Sequence, residues 1–185
     1  MTFEKHLSIL LEQLEDFFPA SFTDSQISDV VDKVVSDNHI DVEFEKINSH
    51  RMPAMFAPGK IYLSEFTPHG LPPSVASSSK LFTILHELGH AYRYQNVGNI
   101  YNYFLNKDID ENPISRDEAI RAIMNEEVEA TKWANSMVDK YQLPLPKHQT
   151  RYPMQIVQQS MSMIEESGVE TVEEVVELLL NSILD

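Results

Sequence analysis

The chain has 185 residues, no cysteine, 42% apolar residues and a formal net charge of −15 at pH 7. That length fits one domain with enough apolar content for a core, and the missing cysteines exclude disulfides and thiolate metal ligands. The acidity opposes direct binding to nucleic acid phosphates and reads as a solvated surface; the spacing of the acids gives no specific support to a basic partner or to mimicry of nucleic acid.

No apolar run reaches the roughly 18 residues of a membrane span. Acidic residues in MTFEKHLSILLEQLED interrupt any signal-peptide core, so the sequence predicts a cytoplasmic protein. In chain order, Phe3 to Phe18 is predicted as a helix with Phe3, Leu7, Leu10, Leu14 and Phe17 in one stripe, ended by Pro19. Thr23 and Gln26 form a capping box that opens a second helix to about Ser36, through Ile27, Val30, Val31 and Val34. A helix-turn-helix reader of DNA would need a basic face, and none is visible.

Ile40 to Ile47 alternates apolar and charged residues, the pattern of a half-buried strand. Met52 to Phe56 and Lys60 to Leu63 flank Ala57-Pro58-Gly59, a turn signal, and read as a hairpin. The expectation is an antiparallel sheet of about three strands. Thr67 to Ser79, rich in proline and serine, reads as an exposed loop.

Leu81 to Gln95, LFTILHELGHAYRYQ, reads as an amphipathic helix with Leu81, Ile84, Leu85, Leu88 and Tyr92 on its buried face and Gly98 at or just past its end. Asn99 to Pro113 is irregular, with a short helix at Ile100 to Leu105 as one reading. Ser115 and Glu118 form a capping box before a helix from 116 to about 140, which Pro144 and Pro146 follow. Two further helices are predicted. The first, about 153–166, carries Met154, Val157, Met161 and Ile164; the second, 172–184, buries Val172, Val175, Val176, Leu179 and Ile183. The fold class is therefore α+β in a single domain over 1–185, with packing helices at 1–38, the core at 39–145 and terminal helices at 146–185.

The chemistry concentrates in His86-Glu87-Leu88-Gly89-His90, an H-E-x-x-H pattern. Histidines one helical turn apart can direct their rings to one point and bind a borderline-soft divalent ion. The carboxylate beside them can take a proton from a metal-bound water. The bland alternative is a set of satisfied polar residues on a packing helix. A third ligand is sought in Asn125-Glu126-Glu127-Val128-Glu129-Ala130. Ile120, Ile123, Ala130, Ala134 and Met137 define the inward stripe of that helix. Glu127 falls within it, Glu126 at its edge and Glu129 on the polar side. A carboxylate in an apolar stripe is costly unless paired or bound to metal, so Glu127 is the expected ligand; a buried ion pair is the alternative. Two histidines and one glutamate leave a fourth tetrahedral position open, as in catalytic zinc sites.

HELGHAYRYQ followed by Glu127-Val128-Glu129-Ala130-Thr131-Lys132-Trp133-Ala134 resembles the ImmA/IrrE-type metallopeptidases, a small gluzincin branch. That family reads H-E-x-x-H and then E-x-x-A-N-x-F-A on a later helix. The resemblance covers roughly residues 40 to 145. It implies a small zincin-like domain that uses zinc to hydrolyse a peptide bond in a protein substrate, such as a regulatory protein. It also implies His86, His90 and Glu127 as zinc ligands and Glu87 as the general base. Thr131 stands where the family usually has Asn or Asp, and its shorter side chain predicts weaker support for a ligand histidine. Trp133 replaces Phe.

An oxyanion donor would come from Tyr92, Tyr101, Tyr103, His148, Arg151 or Tyr152, each of which also reads as a structural or surface residue. A substrate could add as a strand to the hairpin edge within 52–64. The rival readings are an acidic, non-catalytic binding module that retains a zinc site, and a metal-dependent hydrolase of a non-peptide substrate.

Overall fold

The structure, a computed structural model, describes residues 18, 20–48, 54–65, 72–98 and 116–146, with side chains from 121 onward in the last segment. The predicted helices at 3–18 (save Phe18) and 153–184, and the reading of Ile100 to Leu105, lie outside the described residues, as do Met52, Tyr101, Tyr103, His148, Arg151 and Tyr152.

Helix α1 spans Asp24–Asp37. Its capping box forms as predicted: Gln26 N–H donates to Thr23 Oγ1 at 3.2 Å, and Thr23 N–H donates to Gln26 Oε1 at 2.8 Å. These bonds satisfy two donors that the first turn leaves without helical partners. Ile27, Val31 and Val34 face the core, and Val30 packs at its margin.

Strands β1 (Glu43–Ile47), β2 (Ala54–Ala57) and β3 (Lys60–Ser64) form one sheet in the order β1-β3-β2. β2 and β3 are the predicted antiparallel hairpin, turned by Pro58 and Gly59; Gly59 has φ +80, a conformation that glycine adopts without a Cβ penalty. β1 departs from expectation, since it pairs with β3 in parallel, Glu43 opposite Lys60 and Ile47 opposite Ser64. The reason is position. β2 packs its buried residues Ala54, Met55 and Phe56 beside the motif helix, so β1 joins the far side of β3, whose direction it shares. Glu43 to Lys46 are exposed, Phe44 included, so of the segment predicted as a half-buried strand only Ile40, Val42 and Ile47 are buried or partly so, the first two ahead of β1 itself.

Helix α2 spans Pro73–Asn96 and so takes the last seven residues, 73–79, of the segment expected to be a loop. Proline is compatible with the first helical position, where its missing N–H has no partner to lose, so Pro73 starts the helix instead of preventing it. The serines then tie down the approach to α1. Phe22 N–H donates to Ser77 Oγ at 3.0 Å, and Ser78 Oγ donates to the Ala20 carbonyl at 3.0 Å. Gly98, at φ +83, takes the left-handed conformation past the helix end, where its N–H reaches the Arg93 carbonyl at 2.8 Å. Every residue from Leu81 to Ala91 is buried, so α2 is a central helix all round and not the one-sided helix that its sequence suggested.

Helix α3, Arg116–Lys140, has the predicted bounds and places Ala130, Ala134 and Met137 in the core. It crosses α2 where both helices carry small residues. A Cβ built on Gly89 would stand 2.7 Å from the Ala130 carbonyl oxygen. Only glycine permits that approach, which brings the residues before Ala130 over the histidines. The result is an α+β arrangement with a small mixed sheet on one side of α2 and α3 on another. Among the described residues no helix is long and apolar enough to cross a membrane.

Candidate metal centre

α2 presents His86 and His90 from adjacent turns. Their ring centroids are 4.7 Å apart with planes at 88°, and both residues are buried. α3 brings Glu127 to the same point. His86 Nε2 lies 3.0 Å from Glu127 Oε2, His90 Nε2 lies 3.1 Å from His86 Nε2, and His90 Nε2 lies 3.4 Å from Glu127 Oε1. All three groups offer a ligand atom within 4.8 Å of the others.

These separations suit a first-row divalent ion. Bonds of about 2.0–2.1 Å imply ligand atoms about 3.3 Å apart on a tetrahedron and about 2.9 Å apart at neighbouring octahedral positions. The donor set of two imidazoles and a carboxylate suits the same ions. The three residues expected to hold a metal are therefore assembled into a group that could hold one.

Two lone pairs 3.1 Å apart repel, so without a metal the cluster must carry hydrogen between its ring nitrogens. Burial pulls the His90 pKa down, but the Glu127 and Glu126 carboxylates outweigh it and push it up to about 10. Burial favours the neutral acid at Glu127, yet the two histidines hold its carboxyl well below the usual range.

Glu87 is buried too. Burial raises its pKa, opposed by the neighbouring histidines. Its Oε2 accepts from the Phe56 backbone N–H at 2.7 Å, so the sheet holds one oxygen of the carboxylate in place. The Phe56 ring stacks against His90, with centroids 6.2 Å apart. Among the oxyanion candidates, Tyr92 stacks on Trp133 with centroids 5.4 Å apart, a packing role between α2 and α3.

Of three supporting residues, Thr131 was expected to give weaker support than it does, and Glu126 and Arg93 were not legible as such. Thr131 Oγ1 lies 3.1 Å from His86 Nδ1, so the shorter side chain does reach, because Thr131 is wholly buried beside the histidine where α2 and α3 are in close contact. Glu126, placed by periodicity at the stripe's edge, is only 5% exposed. Its Oε1 lies 3.1 Å from His90 Nδ1, and Arg93 Nε donates to Oε1 at 3.2 Å and Oε2 at 3.1 Å. The usable signal was Arg93, which falls one turn after His90 and supplies the cation that a buried acid on the facing helix requires. Glu129 stays on the polar side as expected, bonded to Lys132.

Comparison with family models, with curated proteins and with solved structures returned no match to this chain.

Proposed function

We propose that the protein is a zinc-dependent metallopeptidase of zincin-like fold that hydrolyses a peptide bond in a protein substrate. The observation that carries this reading is Glu87. It stands beside the His86-His90-Glu127 group, is not needed to complete it, and is buried with one oxygen anchored to the sheet. A metal held only for structure has no use for a fixed base at that place. The likeness of His86 to Gln95 and Glu127 to Ala134 to the ImmA/IrrE-type pattern supports the same reading, and it points to a regulatory protein as substrate.

Zinc in this group would supply a Lewis acid that brings the pKa of water to about 7 and polarises a carbonyl. The chain's own residues do the rest. His86, His90 and Glu127 fix the reacting centre on two helices locked together at Gly89. Glu87 accepts the water proton and returns it to the leaving amine. The Phe56 N–H keeps that carboxylate from turning away. β2 is an edge strand among the described residues, and this N–H lies on the side away from β3, where Glu87 takes it up. A substrate strand adding along β2 would therefore lie over the site.

Glu87→Gln tests the proposal, since it preserves shape and removes basicity. Metal content and stability should remain near wild type while cleavage falls roughly 10²–10⁴-fold. Cell extracts incubated with each version, and compared for fragments made by wild type alone, provide the assay. Identical fragments from both versions refute Glu87 as the base. Capture of one partner by both, with no fragments, favours the non-catalytic binding module.

A further inference from the structure

We infer that Glu126 and Arg93 are positioning residues for the metal: Glu126 fixes the tautomer and plane of the His90 ring, and Arg93 holds Glu126 to that task. The inference rests on the metal-site reading above and goes beyond it by giving function to two residues outside the ligand set.

The geometry is specific. Neighbouring residues on a helix point about 100° apart, so Glu126 and Glu127 cannot both face one atom. They face the two nitrogens of one ring instead. Glu126 Oε1 lies 3.1 Å from His90 Nδ1, and Glu127 Oε1 lies 3.4 Å from His90 Nε2. An ionised carboxylate only accepts hydrogen bonds, so Glu126 keeps a hydrogen on His90 Nδ1, and Nε2 is the nitrogen that offers a lone pair once a metal replaces the hydrogen it shares with Glu127. On the ring's face, Phe56 stacks at 6.2 Å, which restricts tilt. His90 is thus held at both nitrogens and against one face.

His86 is held differently. Its Nδ1 partner, Thr131 Oγ1, can donate or accept, and so does not by itself select a tautomer. The site therefore has one ligand set by charge and one set by a neutral hydroxyl. A neutral acceptor at 126 would have served for packing. A carboxylate 5% exposed is costly without a cation, and Arg93 meets both of its oxygens through Nε. Arg93 also approaches Glu129, at 3.9 Å, but that residue has its own closer partner in Lys132 at 2.6 Å.

An ordinary ion pair between α2 and α3 would affect stability alone. A positioning role moves metal affinity and the ligand field as well, and losing such a partner typically costs about 10–100-fold in affinity. The test uses the full chain, with Zn²⁺ affinity measured against a chromophoric chelator and Co²⁺ absorption as the report on ligand geometry. Wild type should bind one ion. Glu126→Gln, which keeps shape and an acceptor, should lose about tenfold, and Glu126→Ala or Arg93→Ala up to about 100-fold, with an altered cobalt spectrum. Glu129→Gln should match wild type. If Glu126→Ala does not fold by circular dichroism, Glu126→Gln and Arg93→Lys decide. Wild-type affinity and an unchanged cobalt spectrum in the Glu126 and Arg93 variants would overturn the inference and leave the metal site standing. No binding by wild type would remove the metal site itself, and the inference with it.

Discussion

Gly89→Ala should damage the metal site without touching a ligand. The added Cβ would meet the Ala130 carbonyl oxygen at 2.7 Å and its Cα at 3.1 Å, whereas ordinary contact begins at 3.4 Å. Both atoms are backbone, so no side chain can turn aside. α3 must retreat by roughly 0.7 Å, and it carries Glu127 three residues before Ala130. Metal bonds tolerate departures of only about 0.2 Å, so the carboxylate is withdrawn beyond useful reach of the two histidines. Overpacking costs about 1–3 kcal/mol, and replacing a mid-helix glycine returns about 0.5–1 kcal/mol, which leaves a net cost of about 0–2.5 kcal/mol in the metal-free protein. Metal affinity should fall further than that modest cost suggests, by at least about tenfold. The assay pairs denaturant unfolding of the metal-free protein with chelator competition for Zn²⁺. Gly98→Ala is the control. Position 98 sits at φ +83, and a methyl added there would meet nothing within 4 Å, so this change should strain the helix end and leave metal affinity intact. Wild-type affinity in Gly89→Ala, with equal or greater stability, would show that the crossing yields easily and that its closeness does not set the site.

Thr131→Val removes the hydroxyl beside His86 Nδ1 at nearly constant volume; Zn²⁺ affinity should drop about tenfold, and an unchanged value would mean that this hydroxyl does not orient His86. Zn²⁺ binding at pH 7 should release a proton, because the ordinary His pKa of 6.5 rises to about 10 at His90 in the metal-free fold. Calorimetry in buffers of differing ionisation enthalpy measures this, and an enthalpy independent of buffer contradicts it. The same shift has a fixed sign for stability: the contribution of protonated His90 to the metal-free protein is complete below about pH 6.5 and is lost as pH rises through about 10. Chelation should lower the melting temperature yet leave one cooperative transition, since the apolar cluster around α2 does not pass through the ligands; a chain unfolded at room temperature in chelator would refute this.

The parts of the fold that the sequence announced are those governed by near neighbours along the chain. The Thr23–Gln26 box, the turn at Pro58-Gly59 and the bounds of α3 each depend on residues a few positions apart. The His86-His90 pair is of the same kind, and Glu127 was found because its helix has a clear stripe. What escaped depends on partners distant in sequence. β1 runs parallel to β3 because β2 occupies the place beside α2, a fact no local pattern holds. Pro72 and Pro73 looked like loop residues because proline signals a boundary, and a boundary can equally be a helix start. Glu126 looked marginal because periodicity ranks burial on one helix alone. Its partners, His90 and Arg93, stand on another.

The bond from Phe56 to Glu87 is made by the main chain, and this has a consequence for how the site can vary. Any residue with an N–H could occupy position 56 and still hold the base, and proline alone could not. Amino-acid identity at 56 is answerable to His90 stacking and to the core, never to Glu87. What the base does depend on is strand alignment. Neighbouring residues of a strand turn their N–H groups to opposite sides, so an insertion or deletion that slid β2 by one place would aim this donor at β3 and strand a buried carboxylate. A change in the length of the turn at Pro58-Gly59 could thus silence the site while every residue of His86 to His90 stayed as it is.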